Sequence, residues 1–93
     1  MAASNNNGKL SAVELGRAAM RTVEELTGYT AEAVTALEGG GEFWEISVDA
    51  LELSRIPDTT DVLGEYIVRL DEDGNLRGYH RQRRFQRCAA EGH

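Results

Sequence analysis

Early in the chain, apolar residues recur at three- and four-residue spacing. Leu15, Ala18, Ala19, Thr22, Val23 and Leu26 fall on one stripe, and Glu14, Arg17, Arg21 and Glu25 lie mainly off it. That period marks an amphipathic helix. Ser11 and Glu14 form an S-x-x-E capping box at its start. The hydroxyl accepts from the amide of Glu14, and the carboxylate accepts from the amide of Ser11. Leu10 and Leu15 stand at the staple positions, and Gly28 suits the left-handed conformation that ends a helix. The pattern predicts a helix over about residues 11–26.

Downstream the period shortens to two. Trp44, Ile46, Val48 and Ala50 alternate with Glu45, Ser47 and Asp49, which predicts a half-buried antiparallel strand over Phe43 to Leu53. The phase slips around Glu52, because Leu51 and Leu53 are both apolar. A slip of this kind predicts a bulge or bend near Ala50–Leu51. In a strand from Val62 to Leu70, Tyr66, Val68 and Leu70 share one face, opposite Leu63, Glu65, Ile67 and Arg69. A weaker strand is expected from Glu32 to Glu38, with Val34 and Ala36 on one face and Ala33, Thr35 and Leu37 on the other. It ends at the turn Gly39-Gly40-Gly41. Asp73-Gly74, within the turn Asp71 to Asn75, is the strongest hairpin signal in the chain. A last strand returns from Leu76 to about Arg84, with Gly78 read as a bulge or a close approach.

Between the two strongest strands lies Ile56-Pro57-Asp58-Thr59-Thr60-Asp61. Pro57 has no amide proton and disfavours helix at Ile56. The Asp and Thr side chains bond their own backbone, as turn residues do. The segment reads as a tight loop.

One helix followed by a meander of strands makes an α+β fold. The helix is expected to pack across one face of a curved antiparallel sheet of three to four strands, burying its stripe against Trp44, Ile46, Val48, Tyr66, Val68 and Leu70. The arrangement is cystatin-like by analogy, which carries no function. The 93 residues suffice for one domain, placed at 10–87, with disordered tails expected at 1–9 and 88–93. A chain of this size has one thin core, so a groove fits it better than a deep pocket.

Cys88 is the single cysteine, so no internal disulfide forms. With only His80 and His93 beside it, a structural zinc is not expected, and neither is any other metal or cofactor. No apolar run reaches the roughly 20 residues of a membrane span. Met1 to Gly8 resembles no signal peptide, so a cytoplasmic location is expected. A nucleophile–base pair would need Cys88 or a serine beside a histidine. His93 is terminal, and His80 sits on a strand among arginines, so no enzyme is expected.

The net charge of −6 is unevenly spread. From Glu32 to Asp73 there are twelve acids against Arg55 and Arg69. From Arg77 to Arg87 there are five arginines, Arg77, Arg81, Arg83, Arg84 and Arg87, and no acid.

The run Arg55-Ile56-Pro57-Asp58-Thr59-Thr60-Asp61-Val62-Leu63 resembles the signature loop of the gas vesicle protein O family. Its context is similar to the family's as well. A strand with Trp44 precedes it, and Tyr66-Ile67-Val68-Arg69-Leu70-Asp71 and a Gly74 turn follow. Gly78-Tyr79 and the run Arg81 to Arg84 ending in Phe85 close the domain in a way that resembles actinobacterial members, and Leu26-Thr27-Gly28 ends the helix. The resemblance covers about residues 10–87. It implies a non-enzymatic accessory protein of gas vesicle assembly, found with vesicles or their assembly intermediates and acting by contacts with other gas vesicle proteins. On the strength of the loop, Arg55, Pro57, Asp58, Thr59, Thr60 and Asp61 are candidate contacts.

The basic strip supports three readings. On an antiparallel strand its arginines face acids of the neighbouring strand, a structural role. With Tyr79, residues Arg77, Arg81, Arg83 and Arg84 make a candidate surface for a protein partner. Arginine interleaved with Tyr79 and Phe85 also suits phosphate contact and base stacking. That last reading, a nucleic-acid-binding or regulatory protein, is the alternative. It is disfavoured because the acidic body repels a polyanion. An exposed edge strand offers a route to a homodimer.

Overall fold

In the computed structural model, residues 9–88 are described. Of the two expected tails, only Lys9 and Cys88 fall within the described residues. The helix α1 spans Ala12–Thr27. The strands are β1 (Thr30–Gly40), β2 (Phe43–Leu53), β3 (Val62–Leu70) and β4 (Leu76–Gln86). They form one antiparallel sheet in the order β1-β2-β3-β4, the meander the pattern predicted.

The helix begins and ends as its sequence signals. The Ser11 amide donates to Glu14 Oε1 at 2.8 Å, and the Glu14 amide donates to Ser11 Oγ at 3.2 Å. Gly28 closes it at φ 81°, where a side chain would be strained. Leu15, Ala19 and Val23 are fully buried against Ile46, Val48, Ala50, Tyr66, Val68 and Leu70. Trp44 packs at the margin of this core. Leu26, expected in the buried stripe, lies in the last turn and is 47% exposed.

Three features of the sheet depart from the pattern. First, β1 is longer than expected and bulged twice, between Ala31 and Ala33 and between Val34 and Ala36. Its inward residues are therefore Ala31, Val34 and Leu37, not an alternating set. Second, the bulge expected near Ala50–Leu51 lies between Leu51 and Leu53. Third, β4 carries two register shifts of its own, one around Arg77, next to the bulge read at Gly78, and one around Gln82 that the pattern does not signal. Both edges of the sheet are thus bulged, a device that deters edge-to-edge pairing.

The helix packs on β1, β2 and β3. Among the described residues, no element covers the helix-side face of β4, and Tyr79 there is 41% exposed. Among the described residues, no helix is long and apolar enough to cross a membrane.

Candidate interaction surface

The bulge in β2 builds the first polar centre. It turns the Glu52 side chain onto the helix side of the sheet, where it is only 2% exposed. Tyr66 Oη donates to Glu52 Oε2 at 2.6 Å. Arg81 Nη1 and Arg84 Nε both reach Glu52 Oε1, at 2.8 and 3.0 Å. Gly64 makes room for this carboxylate, since a Cβ there would collide with Glu52 Oε2. Burial, and then the bond to Glu52, push the Tyr66 phenol above its ordinary value, so it stays a donor. Tyr79 stacks on Tyr66, with ring centroids 6.4 Å apart.

Asp61 is the second centre, and it is 4% exposed. Its Oδ1 accepts the amide of Arg55 at 2.8 Å, and its Oδ2 accepts Arg87 Nη2 at 3.0 Å. The Arg55 amide first, and then Arg87, hold the carboxyl below the usual range against the opposing effect of burial. Arg87 also forks onto Glu32 of β1, with both bonds at 2.9 Å. It thereby ties the first strand to the chain just past the last one. These two acids hold the Arg87 guanidinium protonated more firmly than usual.

The loop before Asp61 is fixed by its own bonds. Asp58–Thr60 form one turn of 3₁₀ helix. Thr60 Oγ1 donates to the Pro57 carbonyl at 2.7 Å. The Arg87 amide donates to the Asp61 carbonyl and the Cys88 amide to the Thr59 carbonyl, both at 2.9 Å. Arg55, Pro57, Asp58 and Thr59 are exposed. Ile56, at the tip, is 99% exposed. Of the candidate loop residues, Asp61 is therefore the one turned inward, with both oxygens engaged within the chain.

The five arginines of the basic run do not make one strip. The bulge at Gln82 separates Arg83 from its neighbours. Arg83 stands opposite Glu65 across the strands, at 2.8 Å, on the face away from the helix. Arg81 and Arg84 share the helix-side face. Arg77 lies 5.6 Å over the Phe43 ring, and Arg87 belongs to the Asp61 centre. The expected pairing with an acid of the neighbouring strand is found at Arg83; Arg81 and Arg84 bond instead to Glu52, two strands away. On the opposite face, Asp49 stands across from Glu65. Burial, and then that like charge, raise its carboxyl.

The candidate residues missed Glu52, Gly64, Tyr66 and Ile56. Glu52 had a signal, as the polar residue inside the phase slip. Gly64 had one too, as a glycine inside a strand. A shallow depression lined by Leu53, Arg55, Val62, Arg84 and Phe85 joins the loop to the arginine pair. Among the described residues, no group of three or more His, Cys, Asp or Glu is placed to hold a metal ion.

The fold and its polar centres define a class: a small helix-on-sheet α+β module whose buried acids are bound by its own arginines and a tyrosine. The chain belongs to the gas vesicle synthesis protein GvpO family, which it matches over residues 1–91, beyond both ends of the 10–87 resemblance. It is 45% identical over 71 residues to gas vesicle protein O of Streptomyces sp. (strain CB03234), covering 76% of this chain and 56% of that one. It is 33% identical over 89 residues to gas vesicle protein O of Haloferax mediterranei, covering 91% and 64%. It is 30% identical over 69 residues to gas vesicle protein O1 of Halobacterium salinarum, covering 74% and 58%. The chain thus spans less than two thirds of the length of these relatives. No solved structure matches it.

Proposed function

We propose that this protein serves gas vesicle formation as a non-catalytic binding module, in the cytoplasm with vesicles or their assembly intermediates. It would contact other gas vesicle proteins through the Pro57 loop and the adjoining face of β4. Family membership supports the setting. The observation that carries the mode of action is Ile56. A large apolar side chain, 99% exposed, stands at the tip of a loop held by six backbone and side-chain bonds to Arg55, Pro57, Asp58, Thr59 and Asp61. An exposed apolar residue on a pre-formed loop loses little conformational freedom on binding, which favours association.

The nucleic-acid alternative draws less support, because its five arginines are divided among different neighbours. The homodimer is disfavoured by the bulges on both edges.

The test is a pull-down of the tagged protein against each of the other vesicle proteins in purified form, repeated with Ile56→Ser. Because Ile56 is almost fully exposed, the variant is expected to keep its circular dichroism spectrum and melting midpoint while losing its partner. Retention of every partner by Ile56→Ser would remove the loop from the interface. Absence of any partner for the wild type would remove the binding-module reading.

A further inference from the structure

We infer that Arg81 and Arg84, with Tyr79 beside them, form a docking site for an acidic protein segment on the uncovered face of β4. The inference rests on the binding-module reading above and names the chemistry of its partner. The charge balance within the cluster is the starting point. Both guanidinium groups end on one oxygen of Glu52, and the other oxygen is taken by Tyr66. Among the described residues, one carboxylate therefore serves two cations and leaves one positive charge uncompensated at this spot, in a chain whose net charge is −6. Elsewhere in the basic run the balance differs. Arg83 has its own acid in Glu65, and Arg87 has two, Glu32 and Asp61.

Geometry leaves that charge accessible. Glu52 lies beneath, 2% exposed, whereas the Arg81 and Arg84 side chains are 44% and 52% exposed. A guanidinium carries five N–H donors in a planar fork that matches a carboxylate. The single contact each makes with Glu52 leaves donors directed outward. Buried Glu52 holds both forks in place before any partner arrives, so less ordering is needed on binding. Tyr79, 41% exposed and stacked on Tyr66, and Leu53, 42% exposed, offer apolar surface on the same face. The occupant that fits is a segment presenting an Asp or Glu next to an apolar residue. A nucleic acid fits less well, since a backbone of successive phosphates calls for a continuous run of cations.

Glu52 provides the decisive variant. Glu52→Gln keeps the shape and removes the internal negative charge, so two uncompensated cations face the ligand instead of one. Arg84→Gln removes the excess. The probes are a short fluorescein-labelled peptide alternating Glu and Leu, its counterpart with Gln for every Glu, and a single-stranded oligonucleotide. Binding to the full chain is read by anisotropy at low and high salt. We expect the Glu peptide to bind in a salt-sensitive way and the Gln peptide more weakly. Glu52→Gln should tighten the Glu peptide by roughly two- to fivefold and Arg84→Gln should loosen it by a similar factor, the range of a partly exposed ion pair. Equal or absent binding of the two peptides overturns the inference. So does a Glu52→Gln variant that remains folded by circular dichroism and binds no tighter, since the arginines would then be structural only. Preference for the oligonucleotide overturns it in favour of nucleic acid. If wild type, Glu52→Gln and Arg84→Gln all capture the same purified vesicle protein equally, this site falls and the binding-module reading stands. If the wild type captures none, it is the binding-module reading that falls.

Discussion

Glu52 takes bonds from Tyr66, Arg81 and Arg84 while almost fully shielded from water. Such a group is tolerated because each oxygen is matched by donors, two of them cationic. The arrangement depends on an absence: Gly64 has no side chain where the carboxylate lies. A methyl at that position would meet Glu52 and stand 2.9 Å from the Tyr66 ring. Gly64→Ala is therefore expected to destabilise the fold by about 1–3 kcal/mol, the range for overpacking a filled site. Urea denaturation checks the value. The cause is checked by a double-mutant cycle with Glu52→Ala. If the clash with Glu52 is the reason, the double variant loses clearly less than the sum of the singles, because the second change removes the obstacle. Additive losses would place the strain in the Tyr66 ring or the backbone instead.

At the scale of elements, legibility in the sequence followed regularity. The helix stands out because nothing interrupts its period or its caps. Ser11→Ala should cost about 1 kcal/mol, a usual value for an N-cap, read from the urea midpoint. The strands from Phe43 and from Val62 are legible because their inward residues alternate for most of their length. β1 is not, because two bulges place Ala31, Val34 and Leu37 inward at a spacing of three. The same cause obscured the site. The arginines from Arg77 to Arg87 are visible as a charge run, but strict alternation would put Arg81 and Arg83 together and Arg84 apart. The bulge at Gln82 reverses this and joins Arg81 to Arg84. Nor does a sequence period show that Glu52, on β2, reaches residues on β4 across an intervening strand. The Pro57 loop was legible as a loop from its residue types. The inward turn of Asp61 was not, since the residue that binds it, Arg87, is 26 positions away.

For the molecule as a whole, the bond set around Arg87 matters most, because it closes the sheet across its ends. It joins Glu32 of the first strand, Asp61 of the loop and the segment after the last strand. The pH dependence of this clasp has a definite sign. The Asp61 carboxyl is lowered in the folded state, so its contribution is complete above the ordinary carboxylate value of about 3.9 and is lost as pH falls through the lower folded value. Arg87 is shifted upward and stays charged throughout this window, so the acid response belongs to the carboxylate. Asp71 is also lowered, by the amide of Asn75 foremost, and it contributes the same sign in every variant. Subtraction against the wild type removes its part. The Arg55 amide, which is the larger cause at Asp61, survives the loss of Arg87. Arg87→Met, which keeps the apolar stem, should therefore lower the melting midpoint at neutral pH and make the acid loss shallower without abolishing it. Asp61→Asn should abolish this share of the acid loss altogether. Melting midpoints followed by circular dichroism from neutral pH down to about pH 3 separate the two. An acid response equal to the wild type's in Asp61→Asn would show that Asp61 closes the sheet by shape and not by charge. One unchanged in Arg87→Met, beside a lowered neutral midpoint, would show that Arg87 joins the ends by packing and hydrogen bonding and not by its charge.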